Sequence, residues 1–134
     1  MELGYAFGWV DDVTGTVEFY EQAFGLKRHF IQQNGDLGLY AELETGETTL
    51  AIADTREARA LFPDGFRAND PSQAPGAFQF TFVTPDVASA YEAALRAGAT
   101  TYAEPRLQPW GQTIARVRDP NGVLVSIATP LGTP

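Results

Sequence analysis

The sequence predicts an α+β fold built from two βαβββ modules. Three observations predict it: two amphipathic stretches with matched ends, one strand-like run before and three after each, and turn sequences between the runs. Each module is expected to form a four-stranded sheet with a helix on one face only. Side by side, two modules form a curved mixed sheet around a concave cup, with the helices on the outer face.

The first strand is expected over residues 3–10, LGYAFGWV. Leu3, Tyr5, Phe7 and Trp9 alternate with Gly4, Ala6, Gly8 and Val10. The small residues suit close packing of a helix, which leaves the aromatic side for the cup. Asp12 then opens a helix over VTGTVEFYEQAF, with Val13, Val17, Tyr20 and Phe24 on one stripe and Gly25 as its stop. Aspartate at an N-cap accepts orphan backbone N–H groups, and glycine tolerates the left-handed residue that ends a helix. Strands follow at 26–33, 37–44 and 48–53, with turns at Asn34-Gly35-Asp36 and Thr45-Gly46-Glu47.

The second module repeats the order. AFQFTFVT at 77–84 is a strand, with Phe78, Phe80 and Phe82 toward the helix and Gln79, Thr81 and Val83 toward the cup. Asp86 opens VASAYEAALRA, which turns Val87, Ala90, Tyr91, Ala94 and Leu95 inward and stops at Gly98. Strands follow at 99–104, 112–119 and 123–129, the last two joined by a turn at Asn121-Gly122. Between the modules, EARALF predicts a short helix and PDGFRANDPSQAP a Pro/Asp-rich linker. The reading is one domain over 1–134, with module 1 at about 1–55, a linker at about 56–75 and module 2 at about 76–130.

Composition narrows the function. Nine Lys+Arg against 17 Asp+Glu give a net charge of −8, which repels phosphate backbones and argues against nucleic acid. The absence of cysteine excludes disulfides, thiolate metal sites and cysteine nucleophiles. No apolar run approaches the ~18 residues of a membrane span, and no signal-peptide layout opens the chain. A cytoplasmic protein with no membrane partner is expected.

The motifs DVTGTVEFYEQAFGLK, AELETGETTLAIAD, PDVASAYEAALRAGAT and PWGQTIARVRDPNGVLVSIATP resemble the vicinal oxygen chelate superfamily. That group holds glyoxalase I-like lyases, extradiol dioxygenases, epimerases, fosfomycin-modifying enzymes and bleomycin-resistance proteins. PWGQ followed by RDPNG is most similar to the bleomycin-resistance branch and its uncharacterised glyoxalase-like neighbours. The resemblance implies paired modules, a cup and a homodimer. It also implies metal positions on the first and last strands of each module, which fall here at Tyr5, Ala51, Gln79 and Ser126. Alanine is no ligand and neutral tyrosine and serine are weak ones, so no metal cofactor is expected. The single histidine, His29, lies away from these positions.

The expected function is metal-independent binding of a small aromatic or cationic compound. Tyr5, Phe7, Trp9, Tyr40 and Trp110 supply ring faces, and Gln79, Thr81, Thr113 and Ser126 supply hydrogen bonds. Arg116 and Arg118 alternate on one strand as a solvated ladder or an anion site. The alternative is a metal-dependent lyase, isomerase or dioxygenase with a non-standard ligand set, in which Glu42 is the candidate ligand or general base. Glu42, Glu44 and Glu47 otherwise read as charges on a hairpin edge. A third reading is a dimerisation or regulatory domain whose cup is filled by its own side chains.

Overall fold

The computed structural model describes residues 1–132. Both long helices begin at their aspartates. Asp12 Oδ1 accepts the Gly15 N–H at 2.9 Å, opening α1 (Val13–Phe24), and Asp86 Oδ1 accepts the Ser89 N–H at 3.1 Å, opening α3 (Val87–Arg96). At the other end of α1, Gly25 takes φ 67° and its N–H returns to the Glu21 carbonyl at 3.0 Å. The short helix expected from EARALF is α2 (Thr55–Leu61), capped by the Asp54 carboxylate on the Arg56 N–H.

The strands are β1 (Tyr5–Val10), β2 (Lys27–Gln33), β3 (Leu39–Glu44), β4 (Thr49–Asp54), β5 (Gln79–Val83), β6 (Thr100–Leu107), β7 (Thr113–Arg118) and β8 (Leu124–Ala128). They form two mixed four-stranded sheets, ordered β1-β4-β3-β2 and β5-β8-β7-β6. In each sheet the first pair is parallel and the others are antiparallel. Two compact units result: residues 1–21 with 25–68, and residues 22–24 with the chain from Asn69 onward.

In the first unit, Val10, Ala41, Leu43, Leu50 and Ile52 lie buried on one face of the sheet, and α1 buries Val13, Val17 and Tyr20. In the second, α3 packs against β6, β7 and β8, burying Val87, Tyr91 and Ala94 with Ala115, Val117, Val125 and Ile127. Removing such side chains from water is the main stabilising term, at about 1.5–3 kcal/mol each. The Tyr91 hydroxyl, carried into this packing, meets Thr101 Oγ1 at 2.6 Å.

Most strand ends shift by a residue or two, and three departures are larger or change a side chain's surroundings. Residues 35–37 form a 3₁₀ turn, so β3 starts only at Leu39. Strand β6 extends past 104 to Leu107, through Pro105, and register shifts accommodate the residue that has no N–H to donate. Phe78, expected beneath the helix, precedes β5 and is 90% exposed.

The expected hairpin between β7 and β8 turns on Asp119. Its Oδ1 accepts the N–H groups of Asn121 and Val123 at 2.8 and 2.9 Å. Arg118 fastens this turn to the connecting segment: Nε donates to Gly122 O at 2.9 Å, and Nη1 and Nη2 donate to Pro71 O and Asp70 O at 3.2 Å each. Gly122 has φ 89°, and a Cβ there would stand 2.8 Å from Pro71 backbone atoms. Among the described residues, no helix is long and apolar enough to cross a membrane.

Candidate functional site

The face of the first sheet opposite its apolar core carries aromatic and acidic side chains in two rows. Register places Phe7, Ala51, Glu42 and Phe30 across one row, and Trp9, Ala53, Tyr40 and Gln32 across the next. The period-2 alternation of β1 therefore puts Tyr5, Phe7 and Trp9 on this face, as expected. The rings pack on one another: Phe7 lies 4.7 Å from Trp9 and 6.0 Å from Tyr40, and Phe30 lies 5.9 Å from Tyr40. Ala51 and Ala53 beneath them are fully buried. Methyl-sized floor residues allow the rings of β1 and β3 to meet over β4.

Phe62, at the end of α2, stands edge-on to Trp9 at 5.4 Å and is followed by Phe66 at 6.4 Å. Neither Phe62, Phe66 nor Phe30 figured among the expected site residues. The aromatic ending of EARALF was the available signal for Phe62. The Trp9 indole N–H is buried here without an acceptor. A buried donor in that state costs about 1–3 kcal/mol, so the face carries a polar group whose hydrogen bond is unmade.

Glu42 does not sit on a solvated edge. Strand β3 is interior to the sheet, and the Glu42 side chain is 17% exposed. The Tyr40 hydroxyl donates to Glu42 Oε2 at 2.5 Å. Burial, then this hydrogen bond and the Glu42 charge, push the Tyr40 phenol well above its ordinary value. The charges of Tyr5 and Glu57 add to the effect, so more than one acidic group bears on this spot. Glu44 remains largely solvated and Glu47 is exposed, as charges on a hairpin would be.

His29 is closer to these groups than the sequence suggested. A register shift between Arg28 and Phe30 makes it the extra residue of a bulge, which re-aims its ring. Its Nδ1 comes to 3.8 Å from Glu42 Oε1 and its Nε2 to 3.3 Å from Glu44 Oε1. The two ring nitrogens point in different directions, so the imidazole bridges two carboxylates and does not converge with them on one point.

The second unit has its own polar face, away from the apolar packing of α3. Gln79, Thr81 and Val83 share it with Leu124, Ser126, Ile114 and Arg116. Thr81, Ser126 and Arg116 form one cross-strand row. Gln79 bridges two of these strands: its Oε1 accepts Arg116 Nε at 3.1 Å and its Nε2 donates to Thr81 Oγ1 at 3.3 Å. Two expected members are not brought into this group. Thr113 falls on the opposite face, with Ala115 and Val117, because the strand alternates. Trp110 is 63% exposed, and its indole donates to Gln112 Oε1 of its own loop at 2.7 Å, while the Gln112 amide holds Thr129 O.

A sequence profile described as the Glyoxalase/Bleomycin resistance protein/Dioxygenase superfamily matches residues 3–127. The chain belongs to that superfamily. Among solved structures, it is similar to a glyoxalase-related enzyme from Fulvimarina pelagi, at 18% identity, with 97% of this chain and 88% of that chain covered and a TM-score of 0.80. A glyoxalase/bleomycin resistance protein/dioxygenase family enzyme from Burkholderia phytofirmans PsJN matches at 20% identity, covering 96% and 98%, with a TM-score of 0.77. TioX from Micromonospora sp. ML1 matches at 20% identity, covering 96% and 98%, with a TM-score of 0.70. These likenesses establish the glyoxalase/bleomycin resistance fold. No curated protein matches the chain.

Superfamily membership raises the question of a metal, and the four positions that would hold one do not fit a divalent ion. Tyr5 pairs with Thr49, while Ala51 pairs with Phe7, so the first two positions do not share a row. The Gln79 amide oxygen already faces the Arg116 guanidinium. Ser126 offers a neutral hydroxyl, and its row neighbour is that same permanent cation. Among the described residues, no three His, Asp or Glu side chains are grouped to hold a metal ion. A cation bound beside Gln79 and Ser126 would have to displace or repel Arg116.

Proposed function

We propose that this protein is a metal-independent small-molecule-binding member of the superfamily, which holds an aromatic or cationic compound against the aromatic face of its first sheet. The observation that carries the reading is the buried, acceptor-less indole N–H of Trp9 within a layer of Phe7, Tyr40 and Phe62. Phe7, 39% exposed, offers a ring edge and face for stacking, worth about 0.5–1.5 kcal/mol beyond burial. The carboxylates of Glu42 and Glu44 favour a positive charge on the ligand, and the rings favour it by cation–π attraction. A planar aromatic cation that also bears a carbonyl or ring-nitrogen acceptor would satisfy all three features.

Tryptophan fluorescence decides the matter, because the two tryptophans sit in different surroundings. Titration with an acridinium dye should quench Trp9 saturably in the Trp110→Phe protein and have no saturable effect in Trp9→Phe. Equal, non-saturating quenching of both variants would overturn the reading. The assembly expected is a homodimer, supported by the exposed apolar side chains of Leu3, Tyr5, Phe78 and Val83, and the expected compartment is the cytoplasm. Sedimentation equilibrium tests the assembly directly.

A further inference from the structure

We propose that the polar face of the second sheet is an oxyanion site, in which Arg116 grips a carboxylate end-on while the hydroxyls of Thr81 and Ser126 complete its shell. The argument starts from what is unused. Among the described residues, no carboxylate reaches ion-pair distance of Arg116, and its only hydrogen bond runs from Nε to Gln79 Oε1. Arg116 is half-buried as a residue, and its contact with Gln79 lies at the surface, where a ligand from solvent can reach it. Its Nη1 and Nη2 groups, with four N–H bonds between them, are left over.

Arg118, two residues on, shows the contrast. Nε, Nη1 and Nη2 of that guanidinium each donate to a backbone carbonyl of the adjoining loops. Arg118 is a structural clamp, and Arg116 is not.

Ser126 lies in the same row. It is 1% exposed and stands between Thr81 and Arg116 across the strands.

The polarity of the network then selects the ligand. Arginine only donates, so the Gln79 amide must present its oxygen to Arg116 and its nitrogen to Thr81. Thr81 Oγ1 therefore already accepts, and the proton it has left to give points elsewhere. The remaining groups are the four Nη–H bonds and the Thr81 O–H, all donors, with the adaptable Ser126 hydroxyl between them. Such a set matches an acceptor-only, negatively charged group. Because Gln79 occupies Nε, the side-on approach to the guanidinium is blocked. The parallel Nη1/Nη2 pair remains, which matches the two oxygens of a carboxylate. This site stands on residues of the second unit and does not depend on the aromatic face of the first.

The test is a nuclear magnetic resonance titration of the full chain with sodium benzoate, against benzamide and against sodium chloride at equal ionic strength. Saturable shifts of the Arg116 Nε–H and of the Thr81 and Ser126 amides are expected with benzoate alone. Arg116→Gln should weaken benzoate at least about tenfold, with a dispersed spectrum confirming the fold. Arg116→Lys should recover part of the affinity but not all, since an ammonium lacks the paired donors. Thr81→Val should weaken binding by less than Arg116→Gln. Matching shifts from chloride or benzamide, or undiminished benzoate binding in Arg116→Gln, would overturn the proposal. The Trp9 response to an acridinium is read separately and remains in Arg116→Gln, so failure of one site is distinguishable from failure of the other.

Discussion

Tyr40 and Glu42, two residues apart on β3, are joined on the same face by a phenol–carboxylate hydrogen bond of 2.5 Å. Strand alternation makes the pair adjacent, and both side chains are half-buried on the face of an interior strand. The phenol is raised above its ordinary value of 10.0 by burial first and by Glu42 second. Below pH ~10 both folded and unfolded chains keep this proton, so its contribution is fully present. As pH rises beyond that value, the unfolded chain releases the proton while the folded chain holds it, and stability falls. Denaturant melts between pH 9 and 11 should show a steeper loss for the native sequence than for Tyr40→Phe. Glu42→Gln, which removes the second cause, should give an intermediate slope.

The ring of Phe62 packs edge-on against Trp9. Phe62→Ala should lower stability by about 1 kcal/mol. It should also raise the acrylamide quenching constant of Trp9 in a Trp110→Phe background. Chemical melts give the first quantity and steady-state fluorescence the second.

Gly122 combines positive φ with the close approach of Pro71. Gly122→Ala should cost about 1–3 kcal/mol for the backbone conformation alone, and more for the displaced segment. The expected readout is a lower melting temperature together with faster amide exchange at Asn121 and Val123.

The two N-caps allow a paired test. Asp12→Ala and Asp86→Ala should each destabilise by about 0.5–2 kcal/mol, since each removes one carboxylate acceptor from a helix N-terminus. Asparagine at either position should restore most of the loss, because its side-chain oxygen accepts the same N–H.

Exhaustive treatment with chelator, followed by a thermal melt, checks the metal-independent reading. No change in melting temperature is expected, and none on adding zinc, manganese or nickel. A saturable rise with one of these ions would favour the alternative of a metal-dependent enzyme.

The two-module layout was legible because its signals are local. Asp12, Asp86 and Gly25 mark helix ends by their own chemistry, and the alternation of Tyr5, Phe7 and Trp9 fixes their common face. What escaped the sequence depends on pairing. Simple alternation separates His29 from Phe30, and only the bulge in β2 brings that imidazole toward Glu42. Glu42 reads as an edge charge until the strand order puts β3 in the interior. Thr113 lies on the face opposite Arg116 because three positions, an odd step on an alternating strand, separate them. Arg116 and Arg118 look equivalent in the chain, and only their partners separate an engaged guanidinium from a spare one.

The clamp made by Arg118 also decides how this chain can be divided. By composition, the stretch around Asp70 and Pro71 is a tether that a protein engineer would discard. By its contacts it is part of the second unit's fabric, since two of the three carbonyls that hold Arg118 come from it. A fragment begun at Gly76 would leave that guanidinium with Gly122 alone and uncover the loop beneath it. One begun at Asn69 keeps the fastening intact. The place to cut is therefore set by one side chain some fifty residues downstream of the tether.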